Sequence, residues 1–569
     1  MNYLFGLIRN LSDNKILVLL ISLGFLIYFK SLFNGFVGDD LPQIRDNTYV
    51  HSINILPFFS RGTLDDKGSG QTSNYYKPVT TSTYALLYLV GSGNPFIFHL
   101  TSVLLHISNS FILLLVFKKF FSKTSSLALS LIFLTHPMNV EAVSYIASLQ
   151  ELLFMAFGLL ALYFVMNKTK HDNFLIPLFL TLSIFSKETG ILFLTLMPLF
   201  AYFFKREILK KYILQSVGVL VGYLVLRFFV AHVYFNSLVV SPVMNEPFFN
   251  RLLNIPSITI FYLKTFIFPL NLVMYQNWLV EYPSLNNFYF PIVLISAILL
   301  LLFFFGKALY GKNKKTFTLF LFFIFLLATG ILLHLQIFPL DQIVADRWFY
   351  FPMIGLLGLA GLLFNFLRER IRVSPEILMV VFLLIIILFS LRVIMRNSNW
   401  KDDPTLAMHD IQYNPKSFQL EDALGAKYFS EKNYTESEFH YKKSTEFFPG
   451  VITFTNLGYS YYVQGKKDKA RNTFYKALEY GDLYRTYNNL ALLLLSMNRL
   501  DEAETVLLKG IKTFPNDYEL WIDLGITRYL QGKKDQAIYA AQKAYELYPS
   551  ENYLQVINGI QNNQKVNIQ

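Results

Sequence analysis

Two adjacent carboxylates, Asp39 and Asp40 in "NGFVGDDLPQIRDN", stand directly after an apolar run. A carboxylate at the mouth of a membrane span can take the proton of a hydroxyl nucleophile. Three further stretches carry polar groups beside apolar runs. They are "THPMNVEAVSYIASLQE" with His136, Glu141 and Glu151, "SKETG" with Lys187 and Glu188, and "LDQIVADRWFYFP" with Asp341, Asp346, Arg347 and Tyr350. Carboxylates together with separate cations suit a transfer reaction with an anionic leaving group. Arginine grips such oxygens bidentately and lysine adds a point charge. Each stretch also has a purely structural reading. Asp40 before Leu41-Pro42 fits a helix cap, and His136-Pro137 fits the end of a span. Lys187 fits a snorkelling side chain, and Asp346 with Arg347 fits an ion pair.

The elements that position these groups read as membrane spans. Of 569 residues, 54% are hydrophobic and only 15% charged, against roughly 25% charged in soluble domains. Residues 1–396 hold nearly all the apolar excess. Spans are expected near 15–33, 97–117, 124–141, 149–166, 173–186, 188–204, 212–231, 289–306, 316–335, 348–367 and 376–395, about eleven in all, of the length a bilayer core requires. Basic residues gather on alternate links: Arg9 and Lys15; Lys118, Lys119 and Lys123; Lys168 and Lys170; Lys205, Arg206, Lys210 and Lys211; Lys307, Lys312, Lys314 and Lys315; Arg368, Arg370 and Arg372. By the positive-inside rule these links and the N-terminus are cytoplasmic. The first outer loop, 34–96, the second, 233–288, the segment 336–347 and the C-terminal region then lie outside. Most acids of the first 396 residues fall on that outer side, Asp65 and Asp66 among them. Charges beside apolar spans line cavities or polar loops, so an outward-facing polar site is expected. The apolar segment 257–275 reads as a re-entrant or interfacial helix ended at Pro269.

The net charge of +12 does not point to nucleic acid. Residues 397–569 carry 20 Lys and Arg against 21 Asp and Glu, so the basic excess belongs to the spans. The absence of cysteine excludes disulfides and thiolate metal sites. The first apolar run has no small-residue cleavage site after it and reads as a retained span.

Residues 397–416 read as a linker and 417–569 as a repeat array. "LGAKYF" at 424, "LGYSYY" at 457, "LALLLL" at 490 and "LGITRY" at 524 recur in phase. Each is followed by a second small-residue pattern: Ser437/Tyr441/Ser444, Ala470/Phe474/Ala477, Ala503/Leu507/Gly510 and Ala537/Ala541/Ala544. Pro449, Pro515 and Pro549 close three units, and Asp482 replaces the proline in the second. This resembles the tetratricopeptide repeat (TPR), whose units bury their faces only by stacking. Residues 551–562 read as a capping helix. Such arrays hold extended peptide in a concave groove, and Tyr459, Tyr462, Arg485 and Asn488 fall on inner-helix positions. A spacer or dimer contact is the plainer alternative.

Taken in order, "GFVGDD", "YYKPVTTSTYALLYLVGSGNPFIFHLTSVLLHISNS" (75–110), "THPMNVEAVSYIASLQELL", "FSKETGI", "NEPFFNR" with "FPLNL", "ADRWFYFPMIG" and the repeats resemble the transmembrane-and-TPR O-mannosyltransferases. More distantly they resemble the protein O-mannosyltransferases; both have the GT-C glycosyltransferase fold. The chain departs at "NEP", where that family has an Asp-Asn-Pro-like turn, and its array is short. The resemblance implies an all-α protein, with a polytopic GT-C membrane domain over 1–396 and a TPR α-solenoid of four repeats and a cap over 417–569. It implies an inverting glycosyltransferase that moves a sugar, mannose being expected, from a polyprenyl-phosphate donor to Ser or Thr hydroxyls of exported proteins. Asp39 or Asp40 would be the base, with Asp39 preferred. Arg347 and Lys187 would hold the donor phosphate, and His136, Glu141, Glu188 and Tyr350 would orient the sugar or the base. The spans would hold the isoprenoid tail and the repeats the acceptor. No divalent metal is expected, and no nucleic-acid partner. Two other readings stand beside this one: a GT-C enzyme acting on a lipid or cell-surface glycan, and a non-catalytic membrane anchor displaying a TPR scaffold. High Lys, Asn, Ile and Phe without Cys suits a multi-pass protein of the bacterial cytoplasmic membrane; a eukaryotic relative would sit in the endoplasmic reticulum membrane.

Overall fold

The computed structural model describes residues 11–63, 75–167, 169–234, 241–370 and 374–564. Arg9, Asp65, Asp66, Lys168 and Arg372 lie outside the described residues. The fold is all-α, and the described residues contain a single isolated β-bridge, Gln276 to Val344.

Helix α1 (Asp13–Tyr28) starts under a Ser12 cap and ends in a tight turn. Helices α2 (Pro78–Gly91) and α3 (Pro95–Phe117) follow it in the chain. Next come α4 (Lys123–Thr135), the short α5 (Val140–Ser144), α6 (Leu149–Asn167), α7 (Asp172–Ser186), α8 (Ile191–Phe204) and α9 (Leu209–Val225). The second half holds α10 (Ile255–Ile267), α11 (Phe290–Lys312), α12 (Lys314–Leu332), α13 (Pro352–Arg368) and α14 (Pro375–Asn399). Each of the eleven apolar runs is helical. Seven are long and apolar enough to cross a membrane, or eight if the stretch containing α4 and α5, bent by 50°, is one span. The helices at 172–186, 188–204 and 352–368 are apolar but shorter. Helix α10 has 13 residues. At 1.5 Å per residue it reaches ~20 Å, short of a bilayer core of about 30 Å.

The bend between α4 and α5 has a local cause. Pro137 disfavours helical geometry in the residue before it, and His136 is extended, with φ −69° and ψ 124°. Close packing between helices rests on small residues. A Cβ on Gly158 of α6 would lie 2.0 Å from the Phe193 ring of α8. One on Gly355 of α13 would lie 2.5 Å from the backbone of α12.

A connecting helix, α15 (Asp403–Asp410), leads into the repeats. These are four antiparallel pairs, α16 (Phe418–Ser430) with α17 (Tyr434–Phe447), α18 (Val451–Val463) with α19 (Lys467–Glu479), α20 (Tyr484–Ser496) with α21 (Leu500–Thr513), and α22 (Tyr518–Leu530) with α23 (Lys534–Leu547), followed by α24 (Glu551–Gln561). Gly425 and Gly458 let Tyr441 and Phe474 of the paired helices come within 2.6 and 2.7 Å of where a Cβ would be. Where Asp482 stands in place of a closing proline, its carboxylate accepts the Tyr487 hydroxyl.

Candidate functional site

The acid-bearing loop is held amide by amide. Val37 N–H donates to Asp40 Oδ2 at 2.9 Å, Gly38 N–H to Asp403 Oδ1 at 2.8 Å, and Asp39 N–H to the Tyr145 hydroxyl at 2.9 Å. Gly38 is left-handed at φ +54°, and a Cβ there would lie 3.0 Å from the Tyr275 hydroxyl and 3.2 Å from that of Tyr145. That combination admits only glycine without strain.

Asp40 is buried, and its Oδ1 accepts Ala147 N–H at 2.6 Å while Oδ2 holds Val37. Both oxygens are therefore occupied by backbone donors. This removes Asp40 as the base. It removes the cap reading too, because the carboxylate makes no capping bond to the turn Leu41–Arg45. Asp39 is exposed, yet protein crowds round its carboxyl. Desolvation by the surrounding protein pushes its carboxyl above the usual carboxylate range, and nearby Asp341 adds to this; Arg347, Tyr145 and Lys77 pull the other way. A carboxyl that solvent reaches yet protein walls desolvate has the raised basicity a general base needs.

Arg347 sits in the short turn Asp346–Phe349 that precedes α13. Its partner is Glu141 rather than Asp346. The guanidinium Nη1 pairs with Glu141 Oε1, and the Arg347 N–H donates to Glu141 Oε2 at 3.2 Å. Burial opposes the guanidinium charge, but Glu141 and Asp341 outweigh it and keep the arginine ionised. Glu141 thus orients Arg347, not a sugar. Lys187 lies in the extended break between α7 and α8, where its ammonium pairs with Glu151.

Lys77 was not singled out from the sequence, and it belongs to the same constellation. It is 6% exposed, and its ammonium lies 3.9 Å above the centroid of the Tyr75 ring. Burial lowers its pKa to about 8; Lys187 pushes in the same direction and Glu188 opposes. The signal was a lysine placed immediately before the proline that opens a helix, in "YYKPV". Tyr145 and Tyr275 were missed as site residues for a different reason, and Asp341, noted in its stretch, was given no role: only the packing of distant segments brings them to Asp39.

The other expected residues divide. Glu188 accepts Tyr76 N–H at 2.9 Å and the Arg227 guanidinium at 3.1 Å, at the margin of the Lys77 cluster. His136 and Tyr350 are corrected. His136 is fully buried; Nδ1 accepts Met138 N–H at 3.2 Å, so Nε2 carries the proton and donates to the Phe266 carbonyl at 2.9 Å. With both nitrogens engaged it braces the α4–α5 bend against α10. The Tyr350 hydroxyl is buried between His106 Nδ1 at 2.7 Å and Asn109 at 3.3 Å, inside the helical core. In the repeats, exposed Tyr459 packs near Phe429 and Tyr462, with ring centroids 5.5 and 6.3 Å away. Arg485 donates to the Tyr484 hydroxyl at 2.9 Å, and Asn488 donates to Glu519 at 3.4 Å.

The family model described as tetratricopeptide repeat matches residues 488–552. Protein O-mannosyl-transferase TMTC3 of Homo sapiens is 25% identical over 594 residues, covering 91% of this chain and 63% of that protein. Protein O-mannosyl-transferase F38B6.6 of Caenorhabditis elegans is 23% identical over 427 residues, covering 72% of this chain and 59% of that one. The chain's homologues are therefore TMTC-type protein O-mannosyltransferases, and it spans somewhat under two thirds of their length. Among solved structures, YrrB, a TPR protein with an unusual peptide-binding site, is similar at 18% identity and a TM-score of 0.25, covering 28% of this chain and 82% of that one.

Proposed function

We propose that the chain, whose homologues are protein O-mannosyltransferases, moves mannose from a polyprenyl-phosphate donor to Ser or Thr hydroxyls of exported proteins, with inversion at the sugar carbon. The observation that carries the reading is the accessible, desolvated Asp39 carboxyl with Arg347 and Lys77 bearing on it. In one displacement the acceptor oxygen bonds to the sugar C1 while the C1–O bond to the lipid phosphate breaks. Asp39 takes the hydroxyl proton, and the bonding electrons leave with the phosphate. Arg347, held by Glu141, and the Lys77–Lys187 pair stabilise the charge that grows on the phosphate oxygens. A phosphate leaves readily without a proton donor, so a single carboxylate suffices and no divalent metal enters the proposal. The reaction takes place at the outer face of the bacterial cytoplasmic membrane, or at the lumenal face of the endoplasmic reticulum in a eukaryote, with the isoprenoid tail among the spans. The repeats hold the acceptor chain, Tyr459 and Tyr462 supplying an apolar surface and Arg485 and Asn488 polar contacts.

The test is transfer from polyprenyl-phosphate mannose to a Ser/Thr peptide library by the full-length protein in nanodiscs. Asp39→Asn is expected to lower the rate by about 10²–10⁴-fold. An undiminished rate in a folded Asp39→Asn protein overturns the base assignment.

A further inference from the structure

Three consecutive amides fix the backbone that carries Asp39, and each ends on a different side chain: Asp40, Asp403 and Tyr145. Two of these belong to the membrane region. Asp403 belongs to the helix that leads into the repeats. Its bond is one of a series along the same segment. Asn397, in the last turn of α14, donates to the Ile27 carbonyl at 2.9 Å and accepts the Ser144 hydroxyl at 2.6 Å. Gly35 N–H donates to the Lys401 carbonyl at 2.8 Å. Trp400 is fully buried with its ring centroid 5.4 Å from that of Tyr145, the tyrosine that receives Asp39 N–H. Further along, Asp410 pairs with Arg396 at 2.6 and 3.0 Å and accepts Met274 N–H at 2.8 Å. Asn414 donates to the Tyr275 carbonyl at 2.7 Å, and the Tyr275 hydroxyl stands over Gly38. Ala407 of α15 then packs with Leu420 and Leu424 of the first repeat helix.

We infer that α15 is a positioning element for the acid loop, and that Asp403 is the positioning residue that holds Asp39 in register through Gly38, linking the repeat array to the transfer site. The inference rests on the reading of Asp39 as the base. A part-buried amide that loses its acceptor shifts towards another, protein or water, and a shift of about 1 Å in a reacting group costs about 10²-fold in rate. Asp403 touches neither substrate, so its loss acts on the chemical step and not on donor binding.

The experiment titrates polyprenyl-phosphate mannose against the full-length protein in nanodiscs, with the library peptide the wild type turns over fastest as acceptor. Asp403→Ala is expected to lower kcat by about 10–100-fold while KM for the donor stays within about threefold. Asp403→Asn, whose side-chain carbonyl still accepts Gly38 N–H, is expected to keep kcat within about threefold of wild type. That rescue, together with the kcat–KM split, separates positioning from loss of folded protein. If Asp403→Ala does not accumulate folded, Asp403→Ser, whose hydroxyl is too short to reach Gly38, is read against the same two criteria. Wild-type kcat in Asp403→Ala beside an inactive Asp39→Asn overturns the inference and leaves the functional reading standing. An equal kcat loss in Asp403→Asn also overturns it, since the hydrogen bond is retained there. An active Asp39→Asn overturns the base assignment itself and the inference with it.

Discussion

Replacing Asp40 by Asn leaves only one carbonyl oxygen for two backbone donors, Val37 and Ala147, and points an NH2 at the other. The expected cost is about 1–3 kcal/mol, read as an earlier melt of the detergent-solubilised protein. Asp39→Asn behaves in the opposite way. Desolvation by the protein around it raises the pKa of the accessible Asp39 carboxyl, so the fold favours the protonated form. The stability this group contributes is present below its unfolded pKa and is lost as pH rises through the higher folded value. At neutral pH the ionised group is then a burden, and the neutral Asn variant is expected to melt no earlier than wild type while losing activity. The same shift sets the pH–rate profile. Its acid limb is expected above the ordinary carboxylate range, where Asp39 loses its proton, and its alkaline limb near about 8, where Lys77 loses charge. A profile flat through pH 8 removes the Lys77 charge from the reaction, and inhibition by EDTA removes the metal-free step. At this scale part of the candidate site can be read in the sequence. Asp39, Arg347 and Lys187 are legible because each follows or precedes an apolar run. The division between Asp39 and Asp40 is not, because it depends on an amide at Ala147 that no local pattern brings near.

Helices were legible by apolarity, and their ends were less so. The expected span 124–141 breaks at His136, while α7 stops at Ser186, its expected end, where Lys187 is extended, at φ −159° and ψ 142°. That break delivers the Lys187 ammonium to Glu151. The expected re-entrant segment begins as a helix and is capped at Phe268, directly before Pro269. The close approach of α6 to α8 could not be read from hydropathy, since Gly158 counts there merely as a weakly apolar residue. Gly158→Ala sets a methyl against the Phe193 ring, and a cost of about 1–3 kcal/mol is expected from overpacking, checked by thermal melting with the transfer rate as a secondary readout.

For the molecule as a whole, repeat periodicity and charge partition separated a membrane region from a TPR array. The contacts that join them were invisible, because they are isolated hydrogen bonds and side-chain contacts made by a polar segment that reads as a linker. If the array holds the acceptor, Tyr459→Ala with Tyr462→Ala is expected to raise the peptide KM several-fold and leave kcat and the donor KM unchanged. Unaltered peptide KM places the acceptor elsewhere. The Gly38–Asp403 bond joins residues 365 positions apart. During translation the acid loop is made first and its Asp403 clamp follows roughly twenty to seventy seconds later at ordinary synthesis rates, with the repeat array still to come. A half-made chain in the membrane thus carries its carboxylate on a loose loop, and arrival of the segment after α14 is itself the step that sets the loop in order.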